Sequence, residues 1–480
     1  MLKRIDNPIL VQVAIGATAR LVVVLVAIAT VVTSGWALVD HEKIHVAVGF
    51  AALMITLLPF LFLRKYDLFS PWSFVILAIF TGGTLQGIAI SAAWPSAEHI
   101  DTTMLLGQRS EYFFYPAFVY LSSLACLALG YFIPFRLVRE RFWFHREFAL
   151  SKLRIAILLA LAMSLSATAL YIRATGGFAS GRISDKRTTI TSLDVANDEL
   201  EQYGYLRQIT KLGALSFLVL GSFHLSKRRN LKLGTFLLLT MVFAFAILMP
   251  FYSSSRAGVV WLFIGSIGLV YYYKKEQVVR SIPILLGIAV VIFVAMSMLR
   301  HTDAADAVQK ASMEDSLKSL LLNRNGPNLA KTAHIINHLP GKLEFQYGRT
   351  IAVWALAPIP RAVFPGKPLI HSGPIIGTEI YGTKVSGVPP GLIAEMYWNF
   401  HLAGAILGLF LTGVGLRWIY EQFWRLNSDA AVLIPMYLFS LQEIGYGVLG
   451  HSLGFGVFMK FIDFLTAAGL MYFCTRKIRG

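Results

Sequence analysis

Residues 392–416, LIAEMYWNFHLAGAILGLFLTGVGL, form an apolar run that decides the class of fold. The run is longer than the ~20 residues that an α-helix needs to cross a bilayer. Its one carboxylate, Glu395, is costly in that setting unless it is paired, protonated or placed in a wet cavity. Similar runs recur along the chain, and the sequence therefore predicts an all-α polytopic membrane protein.

Hydropathy divides the chain into about twelve predicted spans. They cover residues 20–39, 44–63, 71–94, 112–135, 155–173, 206–224, 235–252, 258–273, 281–299, 392–416, 430–449 and 457–474. Residues 1–300 then hold the first nine spans and an outer loop at 174–205. A large loop follows at 301–391, and residues 392–480 hold the last three spans.

The composition agrees with this division and excludes other classes of protein. Of the 480 residues, 56% are hydrophobic and 14% are charged, whereas a soluble domain carries about a quarter charged residues. The net charge of +17 sits mostly in short alternate connections, which is typical of cytoplasmic loops and makes nucleic-acid binding unnecessary as an explanation. Both termini are therefore expected in the cytoplasm. The two cysteines fall in apolar runs and indicate no disulfide framework.

The predicted large loop at 301–391 is the candidate functional face. It mixes aromatic residues with prolines and glycines, which argues against disorder, and we expect it to bear amphipathic surface helices on the outer side. One of these helices carries His334 and His338 at a spacing that could hold a metal. Because no further ligand completes a set, we interpret the pair as a solvated helix face.

Basic residues in the outer connections are the candidates for binding an anion. Arg256 follows Ser255 at the predicted start of a helix, where free amides and the helix dipole favour negative charge. A carboxylate of a neighbouring helix is the alternative partner of Arg256. Arg361 and Lys367 lie in a stretch that three prolines stiffen. The other candidates of this kind are Arg182, Arg187 and Arg349.

Three polar residues near the start of the run at 392–416, and one in the loop before it, complete the set. Glu395 could neutralise an arginine or act as a general base whose pKa burial has raised. His371 is a second candidate base. Tyr397 and Asn399 could orient a substrate.

Several of these segments together resemble the Wzy-type oligosaccharide repeat-unit polymerases. The resemblance rests on Gly176-Gly177-Phe178 with Arg182, Ser255-Arg256-Ala257-Gly258, Pro360-Arg361, Pro365-Gly366-Lys367-Pro368, and Glu395 to Phe400. It covers about residues 176–405 and is weak over the first four spans. Ala394 and His401 stand where the family pattern has glycine.

The resemblance implies a fold like that of the type C glycosyltransferases and a reaction at the periplasmic face of the bacterial inner membrane. The donor would be a glycan on undecaprenyl diphosphate, and the acceptor a sugar hydroxyl of the next lipid-linked unit. Fixed arginines would stabilise the diphosphate leaving group without a metal or another cofactor. Membrane lipid and a chain-length regulator protein would be the other partners.

Three alternatives stay open. An O-antigen ligase would use the same donor and transfer it to lipid A-core. A flippase or transporter of lipid-linked sugar would need paired polar residues at mid-span depth and internal repeats. A metal-dependent variant could use Asp40, His41 and Glu42 in the first outer connection, although an all-oxygen site needs more ligands.

Overall fold

The chain is a helical membrane protein in the computed structural model. The structure describes residues 13–14, 17–39, 43–91, 111–133, 146–174, 206–226, 233–252, 256–274, 287, 326–359, 363–382, 388–425 and 430–477. Within these ranges eight helical segments are long and apolar enough to cross a membrane. They are Ala19–Ala37, Ile44–Leu61, Pro71–Ser91, Glu111–Phe132, Leu150–Ala174, Leu206–Ser226, Leu392–Phe423 and Leu453–Cys474.

Sixteen α-helices are labelled here in chain order within the described residues. They are α1 Ala17–Val39, α2 Ile44–Leu57, α3 Pro71–Ile79, α4 Gln86–Ser91, α5 Glu111–Phe132, α6 Leu150–Ala174, α7 Leu212–Ser226, α8 Leu233–Tyr252, α9 Arg256–Tyr273, α10 Leu329–Asn337, α11 Arg349–Ala352, α12 Gly373–Glu379, α13 Leu392–Arg425, α14 Ala430–Leu441, α15 Gly447–Gly450 and α16 Leu453–Cys474. Two π-helical segments, Phe80–Leu85 and Gln442–Tyr446, join α3 to α4 and α14 to α15. Two short 3-10 segments are Leu58–Leu61 and Val353–Leu356.

The predicted spans correspond to these helices, except that two are shorter and one lies outside the described residues. The runs predicted at 235–252 and 258–273 form α8 and α9, and the apolar cores of these two helices are shorter than the eight spans above. The runs at 71–94 and 430–449 each contain a π-helical segment. The span predicted at 281–299 lies outside the described residues, apart from helical Gly287.

Two short antiparallel strand pairs join connections that the charge pattern assigns to one side of the membrane. Val13–Ala14 (β1) pairs with Lys65–Tyr66 (β2). Arg146–Phe148 (β3) pairs with Thr475–Lys477 (β4). Each pair thus brings together two connections to which the charge pattern assigns the same side.

Helices α5 and α13 form a closely packed pair in the core. A Cβ at Gly130 would lie 2.1 Å from the carbonyl oxygen of Phe410, and one at Gly413 would lie 2.2 Å from that of Leu127. Small residues at such positions let two backbones approach, and this packing is the main source of association between helices in a bilayer.

Helix α10 is not the surface helix that the sequence predicted. Residues 326–336 are all buried, and the helix packs against α5, α2 and α13. Its preceding Pro327 fits against Gly82 in the first π-helical segment, where an added Cβ would lie 2.6 Å from the proline ring. Gly82 lies about 13 Å along the helix from Ser91, the last residue of this spanning segment, since each residue adds ~1.5 Å. Pro327 therefore contacts the span far from its end. The helix is therefore inserted among the spans, and the solvated face predicted for His334 is wrong.

At the other end of the bundle, tyrosines surround the buried carboxylate of Asp67. Asp67 accepts hydrogen bonds from the Tyr420 and Tyr272 hydroxyls (2.9 and 3.1 Å) and from the Phe69 amide (2.9 Å). The Tyr437 hydroxyl donates to the Phe69 carbonyl at 2.5 Å. We name this group the tyrosine cage; its members are Asp67, Tyr66, Tyr131, Tyr271, Tyr272, Tyr420 and Tyr437.

Candidate functional site

Several predicted site residues meet where the large loop docks on two helix starts. We name this region the loop junction and define it as residues 344–354, 392–401 and 451–455. The Trp398 indole donates to the Glu344 carbonyl at 2.8 Å, and the Gln346 amide donates to the Trp398 carbonyl at 3.1 Å. The loop is thereby fixed to α13 by bonds to backbone as well as by packing.

The junction contains a break in α13 that the sequence does not predict. The run at 392–416 was expected to be one continuous helix, but Phe400 (φ −138°, ψ 22°) and His401 (φ 59°, ψ −157°) are not helical. The conformation of His401 lies in a region that is essentially restricted to glycine. The break lets Phe400 pack on Gly404, where an added Cβ would lie 2.3 Å from the Phe400 Cβ. The first part of α13, residues 392–399, is thus a separate short helix.

Glu395 is the centre of a hydrogen-bond network in that short helix. It is fully buried, at 0% exposure. Its Oε1 accepts a hydrogen bond from the Thr350 hydroxyl at 2.9 Å, and its Oε2 accepts one from the Leu453 amide. Leu453 is the first residue of α16, so the carboxylate satisfies a free amide at a helix N-terminus, where the dipole favours negative charge.

Asn399 extends the network to the backbone of the loop. Its Nδ2 donates to the Thr350 hydroxyl at 2.7 Å and to the Glu395 carbonyl at 2.8 Å. Its Oδ1 accepts from the Gly348 amide at 2.9 Å. Gly348 has φ 88° and precedes α11, which begins at Arg349. The asparagine therefore fixes the turn that presents Arg349.

Arg349 is exposed beside this network. Its guanidinium forms no hydrogen bond and no ion pair with the part of the chain that the structure describes. An arginine on a fixed backbone with its five donors uncommitted is suited to bind an anion in a bidentate manner.

His371 is exposed at the edge of the junction. Its ring meets the Trp354 ring edge-on at 5.0 Å, and Trp354 packs in turn on Phe455 at 5.3 Å. Trp354 fits against Gly454, where an added Cβ would lie 2.0 Å from the indole. His371 is therefore held at the start of α16, close to where Glu395 contacts the same helix.

Two other predicted residues are occupied by contacts within the protein. Lys367 is buried, and its Nζ donates to the carbonyls of Ile359 (2.8 Å) and Ala357 (3.3 Å), at the end of the segment that contains α11. This differs from the phosphate contact predicted for Lys367. The Tyr397 hydroxyl lies 3.2 Å from that of Tyr115 in α5 and so joins the two packed helices.

The remaining candidates cannot be placed in this network. Arg182, Arg187, Ser255 and Arg361 lie outside the described residues, and so do Asp40, His41 and Glu42. Arg256 is the first residue of α9, as the helix start predicted, but its side chain is outside the described part.

The structure also tests the histidine pair for a metal. The His334 Nδ1 lies 3.0 Å from the Tyr112 hydroxyl, and the His338 Nδ1 lies 2.6 Å from the His334 carbonyl. Burial lowers the pKa of His334 to about 4, and His338 and His45 add to this effect. Among the described residues no group of three or more potential metal ligands comes together.

Two features were missed from the sequence. Thr350 links Glu395 to Asn399, but no pattern distinguishes it from other loop threonines. Asp463 in α16 is buried and accepts from the Lys211 ammonium at 2.9 and 3.1 Å and from the Gln208 amide at 2.5 Å. Lys211 and Asp463 each stand in an apolar run, and that isolation was a signal, because ionisable residues within spans usually have partners.

Comparisons of this chain with known protein families, with curated proteins and with solved structures find no match.

Proposed function

We propose that the protein is a membrane glycosyltransferase that polymerises oligosaccharide repeat units carried on undecaprenyl diphosphate. In this proposal about twelve helices span the bacterial inner membrane, both termini are cytoplasmic, and the loop junction faces the periplasm. The observation that carries the proposal is Arg349: an exposed guanidinium without a partner among the described residues, on a turn fixed by Asn399.

The break in α13 supports the resemblance to the polymerases at one specific position. His401 stands where the family pattern has glycine, and its φ of 59° is a conformation that glycine adopts without steric cost. A break in the helix at this position would explain why the family pattern has glycine there.

The chemistry requires stabilisation of a leaving group rather than a strong acid. A bond forms between the acceptor hydroxyl oxygen and the anomeric carbon, and the bond from that carbon to the diphosphate breaks. Arg349, with Arg256 and Arg361, would bind the diphosphate as its charge develops. His371 is better placed than Glu395 to take the acceptor proton, because it is exposed while both Glu395 oxygens accept hydrogen bonds.

The test is chain extension in membranes supplied with a lipid-linked single repeat unit. We expect Arg349→Ala, Arg256→Ala and Arg361→Ala each to reduce extension at least ~100-fold with normal insertion. Arg349→Lys should recover only part of the rate, since lysine cannot bind a diphosphate bidentately. Lys342→Ala, an exposed cation on the same loop segment, is the matched control. Normal product ladders from Arg349→Ala would overturn the assignment of this residue.

The two candidate bases are separated in the same assay. Loss of activity in His371→Ala with a retained rate in Glu395→Gln would assign the proton to His371. Loss of activity in Glu395→Gln with a retained rate in His371→Ala would assign the proton to Glu395. Replacing the acceptor with lipid A-core distinguishes the O-antigen ligase, which uses the same donor.

A transporter of lipid-linked sugar is the second candidate, and the Lys211–Asp463 pair is the observation that favours it. The pair joins two spanning segments, as paired polar residues in transporters do. Transfer of labelled lipid-linked sugar across vesicles without any new glycosidic bond would support this reading.

A further inference from the structure

A small pocket opens at the first turn of the inserted helix α10, and no residue of the loop junction is among those that line it. One wall is formed by Leu329 and Ala330, the first two residues of that helix, and another by His45 of α2. Gly49, Gly83 and Gly87 also line the pocket. The pocket has room for about one water-sized guest.

Three hydrogen-bond donors at this pocket have no acceptor among the described residues. The amides of Leu329 and Ala330 stand at the first two helical positions, where no carbonyl of the helix can reach them. The Asn328 side chain is occupied, because its Oδ1 accepts from the Lys331 amide at 2.7 Å. His45 is 6% exposed and touches Phe113 edge-on at 4.7 Å, but its ring nitrogens form no hydrogen bond with a described residue.

Unpaired N–H groups are rare in protein interiors, so three at one place indicate a missing acceptor. The charge around the pocket shows what kind of acceptor fits. The N-terminus of α10 carries the positive end of the helix dipole. Lys331 brings an ammonium to the same turn, where its Nζ donates to the Gly326 carbonyl at 3.0 Å. The described residues that line the pocket include no carboxylate.

The glycines limit the size of the guest. A Cβ at Gly87 would lie 2.4 Å from the His45 carbonyl oxygen, and one at Gly49 would lie 2.9 Å from that of Gly83. The backbones of α2 and of the α3–α4 segment are therefore in close contact around the pocket. A phosphate or sulfate is too large for the space that they leave.

We propose that this pocket binds one monoatomic anion, of which chloride is the obvious example. The anion accepts hydrogen bonds from the Leu329 and Ala330 amides and from the His45 imidazole. It anchors the inserted helix against α2. None of the residues that line the pocket is assigned to glycosyl transfer, so its existence does not depend on the proposed function.

The test is the thermal stability of the purified full-length protein in detergent at constant ionic strength. We expect chloride or bromide, substituted for gluconate, to raise Tm by roughly 2 °C or more. The increase should level off as the halide concentration rises, because one site becomes saturated. His45→Ala should abolish the increase, and His45→Asn, which keeps a donor, should retain part of it. His338→Ala, at the other end of α10, is the control and should respond as the natural protein does.

A second measurement applies even if the His45 variants do not fold. Crystals or vitrified particles of the natural protein in bromide should show bromine at the first turn of α10. An equal Tm in chloride and gluconate, or a water molecule in bromide-grown material, would overturn the proposal.

Discussion

The loop junction and the tyrosine cage each enclose one buried carboxylate, and the partners of the two carboxylates differ. Glu395 accepts from a loop hydroxyl and from the first amide of a helix. Asp67 accepts from its own loop and from the hydroxyls of two tyrosines on long helices. Neither carboxylate forms an ion pair within the described residues.

The surroundings of the two carboxylates differ even more. At the junction, irregular segments meet and leave Arg349 and His371 exposed. In the cage, Arg417 lies over the rings of Tyr131 and Tyr420 and pairs with Glu421 at 2.7 Å. A buried carboxylate is therefore not a sign of function by itself. The exposed side chains beside Glu395, among them Arg349 with no hydrogen bond or ion pair to a described residue, make the junction the better candidate.

The largest effect should come from removing the junction carboxylate. Glu395→Ala leaves the Thr350 hydroxyl and the Leu453 amide without an acceptor, and we expect the free energy of unfolding to fall by roughly 3 kcal/mol. Glu395→Gln retains one acceptor oxygen and should cost about half as much. Denaturation of the two variants in detergent measures the difference. Equal stability of both variants and the natural protein would contradict the network.

A smaller effect should distinguish the cage by its dependence on pH. Burial raises the pKa of Asp67 from 3.8 to about 6, although its three hydrogen bonds oppose the shift. The folded state then binds more protons than the unfolded state between these values, so stability falls as the pH rises through this window. We expect Asp67 to contribute a loss of about 2 kcal/mol between pH 4.5 and pH 6.5.

The effect must be measured as a difference from Asp67→Asn, which does not titrate. The lowered pKa of His334 acts in the opposite direction, since its stability is present above 6.5 and is lost as the pH falls towards 4. Subtraction removes that contribution because His334 is unchanged in both proteins. If stability depends on pH in the same way in Asp67→Asn and in the natural protein, the pKa of Asp67 is not raised.

The smallest effect concerns the break that sets the junction apart. His401→Gly removes the strain of a positive φ but also the stacking of the imidazole on Phe345 at 3.7 Å. We expect a net gain of about 1 kcal/mol in the free energy of unfolding. Gly415→Ala, in the same helix and with open space at its Cβ, should stabilise by about 0.5–1 kcal/mol through helix propensity alone and serves as the reference for an effect of this size. A destabilised His401→Gly would mean that the stack outweighs the strain.

The sequence by itself determined the class of fold and the positions of most spans. Those conclusions depend on apolar length, which the bilayer imposes on each helix separately and which can be counted along the chain. The sequence also marked Arg349 in the large loop, and Glu395 and Asn399 at the start of the next span, as candidate site residues. It offered no reason to link them through Thr350.

Only the tertiary structure decided that α10 is inserted, that α13 breaks at His401 and that Glu395 contacts α16. Each of these depends on contacts between residues far apart in the chain, such as Pro327 with Gly82 and Glu395 with Leu453. Local periodicity does not distinguish a helix that lies on a surface from one surrounded by spans, because the burial of α10 is imposed by its neighbours.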